Sequence, residues 1–121
     1  MSKLRSARID GELKRVLSEV LTRDVKDPRM SKMVGVTGVQ STGDLRYAKV
    51  YVSIYDDPEK VESTMEALAS AEPFIRARVN EKMRLRRIPN LSFVLDTSME
   101  YAAHISKLLD EVAKKDQKDS D

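Results

Sequence analysis

Between Arg46 and Tyr55 the chain alternates without a slip: Ala48, Val50, Val52 and Ile54 share one parity, and Tyr47, Lys49, Tyr51, Ser53 and Tyr55 share the other. A period of two belongs to a β-strand with one apolar face buried, and a slip of a single residue would turn every side chain to the wrong side. This stretch therefore demands a sheet that is covered on one face. Just before it, Ser41-Thr42-Gly43-Asp44 carries turn chemistry and Met33 to Gln40 is rich in Val and Thr, so the two runs read as a hairpin.

The cover must come from helices. Leu13, Val16, Leu17, Val20 and Leu21 recur at helical spacing, which predicts an amphipathic helix from about Lys3 to Val25. Asp27-Pro28 ends it, because the residue before a proline is pushed out of the α region, and Lys26 to Lys32 form a loop. Asp56-Asp57-Pro58 is a helix start, with proline at the first helical position, and Val61, Met65, Leu68 and Ala69 continue with helical period. Pro73 has no N–H for the Ala69 carbonyl and its ring crowds that carbonyl, which predicts a kink or a split there. Phe74, Ile75, Val79 and Met83 supply the apolar side of the next helix. A short strand from Leu91 to Leu95 follows Pro89-Asn90, and Thr97-Ser98-Met99-Glu100 has the spacing of a capping box. Ala102, Ile105, Leu108, Leu109 and Val112 then make a last helix. From Lys114 the sequence KKDQKDSD has no apolar residue and is expected to stay disordered.

The expectation is one α+β domain over residues 1–113, followed by a charged tail, 114–121. Its order is α-β-β-α-α-β-α, a three-stranded sheet with helices packed on one face, which is the type II KH arrangement.

Charge and composition exclude several functions. The formal net charge is +2, yet the last twelve residues hold five acids against three bases, so the folded part is more basic than the total. There is no cysteine, hence no disulfide framework and no thiolate metal site. His104 is the only histidine, so neither a His-based metal cluster nor a triad can be assembled, and no HExxH, P-loop or nucleophile elbow occurs. No apolar run reaches the length of a signal peptide core or a membrane helix, and the chain is expected to be soluble and cytoplasmic, without a membrane partner.

The chemistry that remains is cationic. Six basic residues, Arg76, Arg78, Lys82, Arg84, Arg86 and Arg87, crowd into positions 76 to 87 with only Glu81 opposing them. Helical geometry places Arg76, Asn80, Arg84 and Arg87 in one stripe, suited to a phosphate backbone, whereas Arg78 and Lys82 lie on another side. Lys3, Arg5, Arg8, Lys14 and Arg15 form a second basic group, diluted by Asp10 and Glu12, and Arg29 and Lys32 are candidates in the loop after the first helix. Tyr47, Lys49 and Tyr51 form an aromatic and basic face of the kind that stacks bases in other RNA-binding sheets. The more ordinary account, tyrosine's preference for strands and for covering an open sheet face, is the one adopted. Gly35-Val36-Thr37-Gly38 matches GxxG but falls in a strand, where glycines mark a bulge or close packing, not in the loop between helices that a phosphate clamp needs. Asp44 is assigned to the turn and Asp96 to the start of the last helix, not to a metal or to catalysis.

Several pieces stand together in order: a helix followed by Asp27-Pro28-Arg29; Asp44-Leu45 with Ala48-Lys49-Val50-Tyr51-Val52; Phe74-Ile75-Arg76; Met83-Arg84-Leu85-Arg86; and Pro89 with Leu91, Phe93 and Asp96. In this spacing they resemble the bacterial ribosome-binding factor A family over about Arg5 to Val112. The resemblance implies a KH-like domain that binds the immature small ribosomal subunit and 16S rRNA and promotes rRNA maturation, particularly in the cold. It implies no catalytic residues and no cofactor, a monomer, and other assembly factors such as maturation GTPases as further partners. Such proteins carry an interhelical kink of the Ala-x-Gly type in place of the GxxG clamp; here the corresponding residues are Ala71, Glu72 and Pro73, so proline replaces the glycine. A protein adaptor with incidental positive charge is the alternative of a different class.

Overall fold

The computed structural model describes the backbone of residues 3–83 and 85–119, with side-chain surroundings for 6–83 and 85–115. In chain order the elements are α1 (Lys3–Arg23), β1 (Val34–Ser41), β2 (Tyr47–Ile54), α2 (Pro58–Met83), β3 (Asn90–Leu95) and α3 (Ser98–Asp119). The order agrees with α-β-β-α-α-β-α, the two middle helical segments being joined through Pro73 into the single helix α2. Ala71, Glu72 and Pro73 thus lie inside a helix that does not part. Ala69 and Pro73 are both exposed, so water can take up the Ala69 carbonyl that proline leaves without a donor, which lets the helix run on.

The alternating strand is the centre of the sheet. β2 pairs antiparallel with β1 on one side and parallel with β3 on the other. A parallel partner cannot follow through a tight turn, and α2 is the crossover that makes it possible. On β2 the expected inward set, Ala48, Val50, Val52 and Ile54, is buried, and it meets Leu13, Val16, Leu17, Val20 and Leu21 of α1 with Leu68, Ile75 and Val79 of α2 in one core. α1 lies over β1, α2 over β3, and the two helices touch each other. Phe74, expected among the core residues, is 48% exposed, because the buried face of α2 runs through Thr64, Ala67, Leu68, Ile75 and Val79.

The glycine pair sits in β1 as expected, and the register shifts between Val36 and Gly38, so Thr37 is the extra residue of a β-bulge. The bulge has a use. The Thr37 hydroxyl donates to Asp96 Oδ2 at 2.6 Å, while Asp96 Oδ1 accepts the Ser98 backbone N–H at 2.9 Å, which fixes the direction in which the chain leaves β3 and enters α3. These hydrogen bonds, that from Thr37 foremost, hold the Asp96 carboxyl below the usual aspartate range. A group depressed in the folded state lends its stabilisation above its unfolded pKa and loses it as the pH falls through the lower folded value. NMR titration of Asp96 should therefore give a midpoint below that of a model aspartate, and Thr37→Val should raise it.

A second tie sets the loop before the sheet. Thr64 on α2 is fully buried; its hydroxyl donates to the Lys60 carbonyl at 2.6 Å and accepts the Ser31 N–H at 2.8 Å. Thr64→Val keeps the shape but leaves the Ser31 N–H without a partner, an expected loss of about 1–3 kcal/mol in urea unfolding.

Two expectations fail at the carboxyl end. Ile105, Leu108, Leu109 and Val112 do not join a covered layer: every residue of α3 from Ser98 to Lys115 is exposed. The apolar face of the sheet is already filled by α1 and α2, and periodicity announces an amphipathic helix without naming what it packs against. Nor does the helix stop at Lys114, since α3 continues to Asp119. Lys and Gln are good helix formers, and a helix already started adds residues cheaply.

Candidate nucleic-acid interface

The basic cluster divides into residues that hold the fold and residues left to meet a ligand. Arg78 lies 3.6 Å from Asp24 at the end of α1 and 3.2 Å from Glu81, with its guanidinium 5.8 Å from the centre of the Phe74 ring. Lys82 stands 3.9 Å from both Glu19 and Asp24. These two cations fasten α2 to α1 across the helix pair. Arg76 is partly engaged as well: its Nε is 3.0 Å from Glu72 Oε1, and its Nη1 donates to Asn90 Oδ1 at the start of β3. Counting only the acids inside residues 76–87 therefore understated the pairing, because Glu19, Asp24 and Glu72 come from elsewhere.

What remains converges beyond the helix. α2 ends at Met83, so Arg87 does not continue a helical stripe with Arg76 and Asn80; it returns toward them through the loop that leads to Pro89. Arg84 lies outside the described residues. Arg86 and Arg87 are exposed and make no ion pair among the described residues. Together with Arg76, Asn80, Pro73 and Ile88 they line an open recess of about 380 Å³. Pro89, buried beneath, anchors the loop. A concave site with guanidinium groups on its rim concentrates positive potential, and planar guanidinium forks suit phosphate oxygens.

The other candidates are not gathered there. Arg8 is exposed on α1 and unpaired among the described residues, while the side chains of Lys3 and Arg5 lie outside them. Arg15 pairs with Glu19 one turn on at 3.3 Å. Arg29 is folded back on Asp27, Nη2 to Oδ2 at 2.8 Å, and this hydrogen-bonded pairing holds the Asp27 carboxyl below its usual range. It shapes the loop more than it offers a free charge. Asn90 and Ile88 were not foreseen as part of the site; only the return of the loop onto α2 brings them in.

Among the described residues no group of three or more His, Asp or Glu is placed to hold a metal ion, and no helix is long and apolar enough to cross a membrane. Asp44 accepts from the Thr42 hydroxyl at 2.7 Å and from the Arg46 N–H at 3.1 Å, and Leu45 beside it has φ 57°, so this carboxylate serves the turn.

The family model for ribosome-binding factor A matches residues 5–109 of this chain. The chain belongs to the ribosome-binding factor A family. The ribosome-binding factor A of Clostridium kluyveri is 40% identical over 121 residues, the full length of both chains. Among solved structures, a ribosome-binding factor A from Thermotoga maritima superposes with a TM-score of 0.67 at 34% identity, over 78% of this chain and 89% of its own. A homology model of the ribosome-binding factor A of Thermus thermophilus, fitted into a cryo-EM map of a 30S complex, gives 0.65 at 29% identity, over 76% of this chain and 96% of its own.

Proposed function

We propose that this chain is a non-enzymatic assembly factor that binds the immature small ribosomal subunit through 16S rRNA and promotes its maturation. The observation that carries this reading is the recess where Arg86 and Arg87 meet Arg76 and Asn80, on a domain whose Thermus thermophilus relative was fitted into a 30S complex. Arg86 and Arg87, in the loop beyond α2 and without acidic partners among the described residues, can neutralise rRNA phosphates and release counterions, while Arg78 and Lys82 stay with the fold. A binder of this kind acts by differential affinity: it favours the rRNA arrangement that it fits and leaves when that arrangement changes. On this reading the protein works in the cytoplasm as a monomer, matters most in the cold, and is displaced by other assembly factors such as maturation GTPases.

One observation favours a second reading, a protein adaptor. The apolar stripe of α3, with Leu109 64% and Val112 57% exposed, is suited to a protein partner. Sedimentation of cell extract with and without nuclease separates the two. Co-migration with small-subunit precursors that nuclease abolishes supports rRNA binding; a light complex that survives nuclease supports the adaptor.

A further inference from the structure

The face of the sheet turned away from α1 and α2 has a composition that covering an open surface does not require. Its residues lie in cross-strand rows. Gln40, Lys49 and Ser92 are paired neighbours on β1, β2 and β3; Gly38, Tyr51 and Val94 form the next row, and Tyr47 lies beside Asn90. Residues paired across strands point to the same side, so two tyrosines and a lysine stand in line down the central strand, with Gly38, Gln40, Asn90, Ser92 and Val94 beside them. A Cβ on Gly38 would sit 3.8 Å from the Tyr51 ring, so glycine there puts no side chain against that ring. Tyr47 is 59% exposed, and Lys49 is exposed with no ion pair among the described residues. Gln40, Thr42, Tyr47, Lys49 and Ser92 line a recess of about 460 Å³, within the range of small-ligand sites.

This face also joins the cationic recess. Asn90, the neighbour of Tyr47, accepts the hydrogen bond from Arg76 Nη1, and Arg76 lines the recess of Arg86 and Arg87. A strand of RNA whose phosphates rest at that recess can continue past Asn90 onto the tyrosines.

We propose that the open sheet face binds unpaired RNA bases, which stack on Tyr47 and Tyr51, with Lys49 meeting the intervening phosphate and Gln40 and Ser92 offering hydrogen bonds to base edges or 2′-hydroxyls. The proposal rests on the reading that the ligand is rRNA, and it adds that the recognised segment is single-stranded where it crosses the sheet.

The experiment measures binding of the full chain to a labelled, short single-stranded RNA and to the same sequence as a duplex, each across a salt series. Tyr47→Ala should weaken single-strand binding roughly tenfold to a hundredfold with the salt slope unchanged, because stacking releases no counterions. Tyr47→Phe should bind as the parent does, and the duplex should bind Tyr47→Ala and parent alike. Single-strand affinity of Tyr47→Ala within about twofold of the parent, far short of a lost stack, overturns the proposal, as does an equal loss on the duplex. Replacing Arg86 and Arg87 with Ala keeps the two readings apart. If those changes weaken binding and Tyr47→Ala does not, only the sheet site falls. If neither weakens it, the rRNA reading falls with it.

Discussion

Replacing Arg86 and Arg87 together with Ala should weaken attachment to small ribosomal subunits by roughly tenfold or more per residue, the expected worth of hydrogen bonds to a charged group. The slope of log affinity against log salt should flatten by roughly one unit per phosphate contact removed. The fold should stay as it is, since both side chains are exposed and hold no partner among the described residues. Arg78→Ala is the informative contrast. That guanidinium is engaged by Asp24 and Glu81, so its loss should appear in unfolding measurements and leave the salt slope alone. Equal flattening by Arg78→Ala would mean that the division between fastening and binding cations is wrong. An unaltered slope in the Arg86 and Arg87 variant would remove the recess from the interface.

Ile75→Ala should be among the most damaging single changes, at about 2–5 kcal/mol, out of a total stability that for a domain of this kind is about 5–15 kcal/mol. Ile75 is fully buried one turn or less beyond Pro73, where α2 presses on the sheet. Removing its side chain leaves a cavity in the core beneath α2, and the melting temperature should fall by roughly 10 °C or more. Phe74→Ala, at the adjacent position but 48% exposed, should cost far less, about 1 kcal/mol. Thermal unfolding of the pair checks which face of the helix beyond the proline belongs to the core. A loss at Phe74 as large as that at Ile75 would place the buried face elsewhere.

The core of the domain was legible because burial leaves a period in the sequence. Leu13, Val16, Leu17, Val20 and Leu21 on α1, and Ala48, Val50, Val52 and Ile54 on β2, are all buried where the periods of 3.6 and 2 put them. The strand placement of Gly35 and Gly38 and the local duties of Asp44 and Asp96 were legible too, since turns and helix starts are built from near neighbours. The candidate site was legible only in part. Arg76, Arg86 and Arg87 meet, but through a returning loop and not along a helical stripe, while Arg78, Lys82 and Arg29 are occupied by acids.

The sequence by itself determined which residues of α1 and β2 face inward and where the chain turns, because each follows from geometry within a few residues, and its composition determined that the surplus charge is positive. Only the tertiary structure decided that β2 is central with β3 parallel to it, that α3 stands uncovered, and which arginines are left for a ligand. Those outcomes depend on partners far apart along the chain, such as Asp24 with Arg78 or Thr37 with Asp96, and no local period records them.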